Sequence, residues 1–111
     1  RSTSLRDPTV HLGLLSIDIR ERRVHVGGQR IELTGREFSL LSLLARNAGR
    51  VVTRSEILSQ VWEMQHDPGS NVVDVHIRNL REKLGVAAPL LETIRGQGYR
   101  MPLSETKPLA Q

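Results

Sequence analysis

The chain has 111 residues, enough for one hydrophobic core of useful size and too few for two. Apolar residues make up 38% and charged residues 25%, and no apolar run approaches the roughly 20 residues that cross a bilayer, so no membrane partner is expected. Cysteine is absent, which excludes disulfides, thiolate metal sites and cysteine nucleophiles and fits a reducing, cytoplasmic compartment. The net charge of +4 rests on fourteen arginines against two lysines, and arginine's planar fork suits phosphate and guanine edges better than an ammonium does.

Residues 1–8, RSTSLRDP, are polar and aperiodic and read as a linker, residues 9–102 as the domain, and residues 103–111 as a tail. From Val10 to Leu33 the pattern alternates, with Ile17 and Ile19, Val24 and Val26, then Ile31 and Leu33, broken by Gly27-Gly28. That predicts an antiparallel sheet of three or four strands. Thr34 stands three residues before Glu37, the spacing of a capping box, ahead of a helix that carries Phe38, Leu40, Leu41, Leu43, Leu44 and Ala45 and should be central. Val51 and Val52 form a short extended piece. Thr53 and Glu56 repeat the capping-box spacing ahead of a shorter helix with Ile57, Leu58, Val61 and Trp62. Asp67, Pro68 and Gly69 break the chain, Ser70 offers a cap, and a third helix runs over 71–84 to Gly85. After a loop at Pro89, residues 93–101 read as two short strands around Gly-Gln-Gly.

At 100° per residue, Val73, Ile77, Leu80 and Leu84 form the core-facing stripe of the third helix. The opposite side carries Asn71, Val72, Val75, Arg78, Asn79 and Glu82, with Asp74 and Arg81 on one flank and His76 and Lys83 on the other. Exposed valine gains no burial and is a mediocre helix former, so Val72 and Val75 point to a partner surface. In a major groove, valine meets a thymine methyl, asparagine pairs with adenine, and Arg78 pairs with guanine or a phosphate. A helix packed on a protein partner is the competing explanation. Thr93, Arg95, Tyr99 and Arg100 cluster on the terminal ribbon, where Gly96 and Gly98 permit a tight tip that could carry Arg95 into a minor groove. An internal ion pair of Arg95 with Glu92 or another acid is its plainer alternative. A nucleotide-binding loop would need a third glycine and a following helix. The histidines have no metal-site spacing, and no serine sits in a Gly-x-Ser-x-Gly turn, so no enzyme and no cofactor is expected.

The segments LTGREFSLLSLLARNAGRVVTRSEILSQVW, VVDVHIRNLREKLG and TIRGQGYRM resemble successive signatures of the OmpR/PhoB family of response-regulator DNA-binding domains, over about residues 10–102. The resemblance implies an α+β winged helix-turn-helix: an N-terminal four-stranded antiparallel sheet, three helices and a C-terminal hairpin wing. It implies that the third helix enters the major groove of double-stranded DNA and the wing touches the minor groove through Arg95. Base contacts are expected of Val72, Asp74, Val75, Arg78 and Asn79 and backbone contacts of Trp62, Asn71, His76, Arg81, Thr93 and Tyr99, with Arg78 also matching a backbone-contact position of the family. Asp74 matches a position that orients neighbouring basic groups. The sequence departs from the common pattern at Val72, where threonine is frequent, and at Asn79, where arginine is frequent. The loop 63–70 resembles a segment that meets RNA polymerase, which makes Glu63, Gln65 and Asp67 candidate contacts. Further implied partners are a second copy on tandem half-sites and the protein's own phosphorylatable receiver domain.

Overall fold

The computed structural model describes residues 9–64 and 69–103. The expected linker 1–8, the tail beyond residue 103, and Gln65 and Asp67 of the proposed polymerase loop lie outside the described residues. The chain opens with a four-stranded antiparallel meander of β1 (Thr9–Leu12), β2 (Leu15–Asp18), β3 (Arg23–Val26) and β4 (Gln29–Ile31). Its register lines up Val10, Ile17, Val24 and Ile31 in one row across all four strands. These β-branched side chains face the core, while the next row, His11, Ser16, His25 and Arg30, faces outward. A one-residue slip would exchange the rows, which is why alternation alone set the pairing.

Helix α1 (Gly35–Arg46) starts with the expected capping box: the Thr34 hydroxyl accepts from the Glu37 N–H at 3.2 Å, and Glu37 Oε1 accepts from the Thr34 N–H at 2.9 Å. Leu40, Leu41 and Leu44 are fully buried, so the helix is central, as its all-round apolar sequence required. Asn47 closes it, its amide donating to the Leu43 carbonyl at 2.8 Å. Thr53 and Glu56 form the second capping box, at 2.9 and 3.1 Å, at the start of α2 (Arg54–Val61). Helix α3 (Val72–Leu84) buries Val73, Ile77, Leu80 and Leu84, the predicted stripe. Its start differs from expectation. Asn71, not Ser70, is the N-cap residue and makes no side-chain cap, while the Ser70 hydroxyl accepts weakly from the Val72 N–H at 3.4 Å.

A turn of 3-10 helix (Gly85–Leu90) follows, and then β6 (Glu92–Ile94) and β7 (Gly98–Arg100) make the hairpin. The hairpin is not a free ribbon. β5 (Val52–Thr53), between α1 and α2, pairs with β7, so the wing is a three-stranded sheet in the order β5-β7-β6. Val52 stands opposite Tyr99 and Thr53 opposite Gly98. A Cβ at Gly98 would run into the Val52 carbonyl and lie 2.9 Å from Thr53 Cα, so the close approach of β5 requires glycine there. A half-buried ion pair ties α1 to α3: Lys83 Nζ lies 2.7 Å from Glu37 Oε1, with the Glu37 side chain 5% exposed and the Lys83 side chain 39%. Burial pushes the Glu37 carboxyl up, but the Lys83 bond and the Thr34 N–H outweigh it and hold it below its usual value of 4.5.

Candidate nucleic-acid interface

Helix α3 is bracketed by the C-terminal end of α2 on one flank and by the wing with the N-terminal end of α2 on the other, and each flank is tied by polar or aromatic contacts of its own. On the α2 side, Trp62 ends α2 and meets the His76 ring edge-on, 4.9 Å between centroids at 85°. The Arg36 guanidinium lies over the Trp62 ring at 5.3 Å. His76 Nδ1 is 2.9 Å from the Val72 carbonyl oxygen one turn earlier.

On the wing side, Asp74 is a hub. Its Oδ1 accepts from the Tyr99 hydroxyl at 2.5 Å and from Arg54 Nη1 at 3.4 Å, and Arg54 also donates to the Ser70 carbonyl. Burial, and then the adjacent Asp74 carboxylate, push the Tyr99 phenol up to about 12. Tyr99 is 8% exposed, so what it offers a partner is chiefly the geometry it imposes on Asp74. Farther along, Arg81 donates from Nε and Nη2 to the Leu91 carbonyl at 3.1 and 2.6 Å, and from Nη2 to the Thr93 hydroxyl at 2.7 Å. The two hydrogen-bonding sets fix the angle between helix and wing.

Between these flanks lies the outer face. Val72, Val75 and Asn79 are half-buried, and Asn71 and Arg78 are exposed. At the wing tip Arg95 is exposed beside Gly96. Among the described residues the side chains of Arg78 and Arg95 make no hydrogen bond or ion pair. The plainer reading of Arg95 as the partner of Glu92 is corrected: Glu92 pairs with Arg100 at 2.8 Å, because both sit on paired strands whereas Arg95 lies in the turn. A cleft of about 290 Å³ between α3 and the wing is lined by Arg54, Asp74, Thr93, Gly98 and Tyr99, among others. Arg78 on the outer face and Arg95 at the tip are thus uncommitted, while Arg54, Arg81 and Arg100 are held in place.

Sequence reasoning placed Val72, Asp74, Val75, Arg78 and Asn79 on one helix and Thr93, Arg95 and Tyr99 on one ribbon, and the fold brings both groups to one side with Trp62, Asn71 and His76. It missed Arg54. Nothing local marks this residue, since its partner Asp74 stands twenty positions later and meets it only through the packing of α2 on α3. Glu63 is exposed just after α2 in a left-handed conformation, φ 55°, which glycine usually takes.

Residues 28–101 match the family described as "Transcriptional regulatory protein, C terminal". The transcriptional regulatory protein TcrA of Mycobacterium tuberculosis is 44% identical over 100 residues, 86% of this chain and 39% of TcrA, so the chain spans well under half of that relative. The DNA-binding domain of CpxR from Escherichia coli shares the fold with a TM-score of 0.77 at 37% identity, covering 87% of this chain and 98% of that domain. The Klebsiella pneumoniae RstA DNA-binding domain, solved in complex with the RstA box, gives a TM-score of 0.77 at 32% identity, covering 85% and 96%. With the family match over most of the folded residues and the same winged-helix architecture, the chain belongs to the OmpR/PhoB-type C-terminal domains of transcriptional regulatory proteins.

Proposed function

We propose that this domain binds double-stranded DNA sequence-specifically and serves as the effector half of a cytoplasmic two-component response regulator controlling transcription. The observation that carries this reading is the outer face of α3, where Val72, Val75 and Asn79 stand half-buried around an unpaired Arg78, with an unpaired Arg95 at the wing tip. Such a face is poorly suited to water alone, and its donors, acceptors and methyls match base edges. The RstA domain, similar in fold and sequence, was solved on its own DNA box. Helix α3 would lie in the major groove and Arg95 in the minor groove. Val72, Val75, Arg78 and Asn79 would meet bases, and Asn71, Trp62, His76 and Thr93 the backbone. Arg54 joins the backbone set, held by Asp74.

In the full-length protein, phosphorylation of a receiver domain would pair two copies on tandem half-sites, and Glu63 would stand in the segment offered to RNA polymerase. Binding measured on duplexes with one or two copies of the preferred half-site tests this. Affinity should fall steeply with salt, and two half-sites spaced by about 10 to 10.5 base pairs should bind more tightly than one. Salt-insensitive association would count for a protein-binding helix instead, and equal affinity at every spacing would refute pairing on tandem half-sites.

A further inference from the structure

We infer that His76 engages a DNA phosphate through Nε2 and only as an imidazolium, so that DNA binding by this domain takes up a proton. The inference rests on the DNA-binding reading above and adds a protonation requirement to it. His76 Nδ1 lies 2.9 Å from the Val72 carbonyl oxygen. A carbonyl oxygen only accepts, so Nδ1 carries the hydrogen and donates it. In the neutral ring Nε2 is then a bare lone pair. The imidazole packs against the edge-on Trp62 ring, and flipping it over to exchange its edges would give up the Val72 hydrogen bond.

A phosphate oxygen is also an acceptor. A lone pair facing it is repulsive, whereas a second ring proton gives a charge-assisted hydrogen bond. His76 follows the outer-face residue Val75 and stands three residues before Asn79, which puts its free edge at the rim of that face. Among the described residues Nε2 has no hydrogen-bond partner and the ring no carboxylate within ion-pair distance. The charged groups of the neighbouring elements are engaged elsewhere. Arg36 of α1 covers Trp62, Asp74 is held by Arg54 and Tyr99 on the opposite flank, and Lys83 is held by Glu37. Glu63, next to Trp62, is exposed and makes no ion pair, so among the described residues nothing serves as counter-charge for the imidazolium, and a phosphate would.

The sign follows. A phosphate beside the ring raises its proton affinity in the complex above that in the free domain, so the added affinity is present at low pH. It is lost as pH rises through the titration of the bound ring. Histidine ordinarily titrates between about pH 5 and 8, where this linkage would be felt.

The test is calorimetric titration of the chain with its preferred duplex, selected from a random pool, in two buffers of different ionisation enthalpy. Wild type should take up a measurable fraction of a proton at pH 7.5, and His76→Gln, which keeps a polar side chain without a titrating ring, should lose that fraction. Affinity of wild type should fall with rising pH, at most by about tenfold per unit for one linked proton, while His76→Gln stays flatter. Nitrogen-15 spectra of the wild-type histidines need no variant. They should show His76 as the Nδ1–H tautomer in the free domain and protonated at both nitrogens in the complex. A neutral His76 ring in the complex, or equal proton uptake by wild type and His76→Gln, would overturn the inference while leaving DNA binding intact. Absence of any salt-dependent duplex binding would overturn the DNA-binding reading and this inference with it.

Discussion

Arg81 and Asn79 stand two residues apart on α3, yet the fold treats them differently. The Arg81 guanidinium reaches back across the helix flank to the Leu91 carbonyl and the Thr93 hydroxyl, so its first duty is to hold the wing against α3. Arg81→Ala should therefore lower stability by about 1 to 2 kcal/mol, the range for a partly solvated charged hydrogen bond, as well as weaken DNA binding. Urea unfolding beside binding separates the two effects; weakened binding with unchanged stability would return Arg81 to a pure phosphate contact. The Asn79 side chain makes no hydrogen bond among the described residues and stands half-buried on the outer face. A bidentate pair with adenine would make Asn79→Ala cost about 1 to 3 kcal/mol on the preferred site and flatten discrimination at one base position. Asn79→Arg should raise non-specific affinity and shift that preference. Binding to duplexes varied at every position measures both, and an unchanged preference everywhere would remove Asn79 from the reading set.

The wing is the element whose construction departs most from a simple hairpin. β5 comes from the connection between α1 and α2, and it can lie on β7 only because Gly98 has no side chain to meet the Val52 carbonyl. Gly96 also has a positive φ, 74°, but open space surrounds the position of its missing Cβ. Gly98→Ala should thus cost about 2 to 4 kcal/mol from combined overpacking and backbone strain, and Gly96→Ala only about 1 kcal/mol from strain alone. Chemical denaturation of the two variants gives the comparison. Equal losses would mean that the β5–β7 contact contributes little to holding the wing.

Across the whole molecule two buried titratable groups, Glu37 and Tyr99, act on stability at opposite ends of the pH range. Glu37 titrates below its ordinary 4.5 in the folded chain, so its contribution is complete above 4.5 and is lost as pH falls through the lower folded value. The Tyr99 phenol titrates at about 12 against an ordinary 10.0, so its contribution is complete below 10.0 and is lost as pH rises from there to about 12. Melting temperature followed against pH should fall at both ends. Glu37→Gln should flatten the acid limb and Tyr99→Phe the alkaline one; a variant that leaves its limb unchanged would show that another group governs it.

Residue order alone determined the elements of this protein, because each is written in short-range physics. The alternation of Ile17, Val24 and Ile31 set the inner sheet face, Thr34 with Glu37 and Thr53 with Glu56 set two helix starts, and the stripe from Val73 to Leu84 turned Val72, Val75, Arg78 and Asn79 outward. The third strand of the wing, the Asp74–Tyr99–Arg54 hub, the Arg81 strut and the Glu37–Lys83 pair were decided only by the tertiary structure. Lys83 and Glu37 are 46 residues apart and Arg54 and Asp74 are 20 apart, separations at which no spacing rule operates. Such partners meet because three helices and two sheets pack around one core, and it is that packing which holds some arginines in place and leaves Arg78 and Arg95 unpaired.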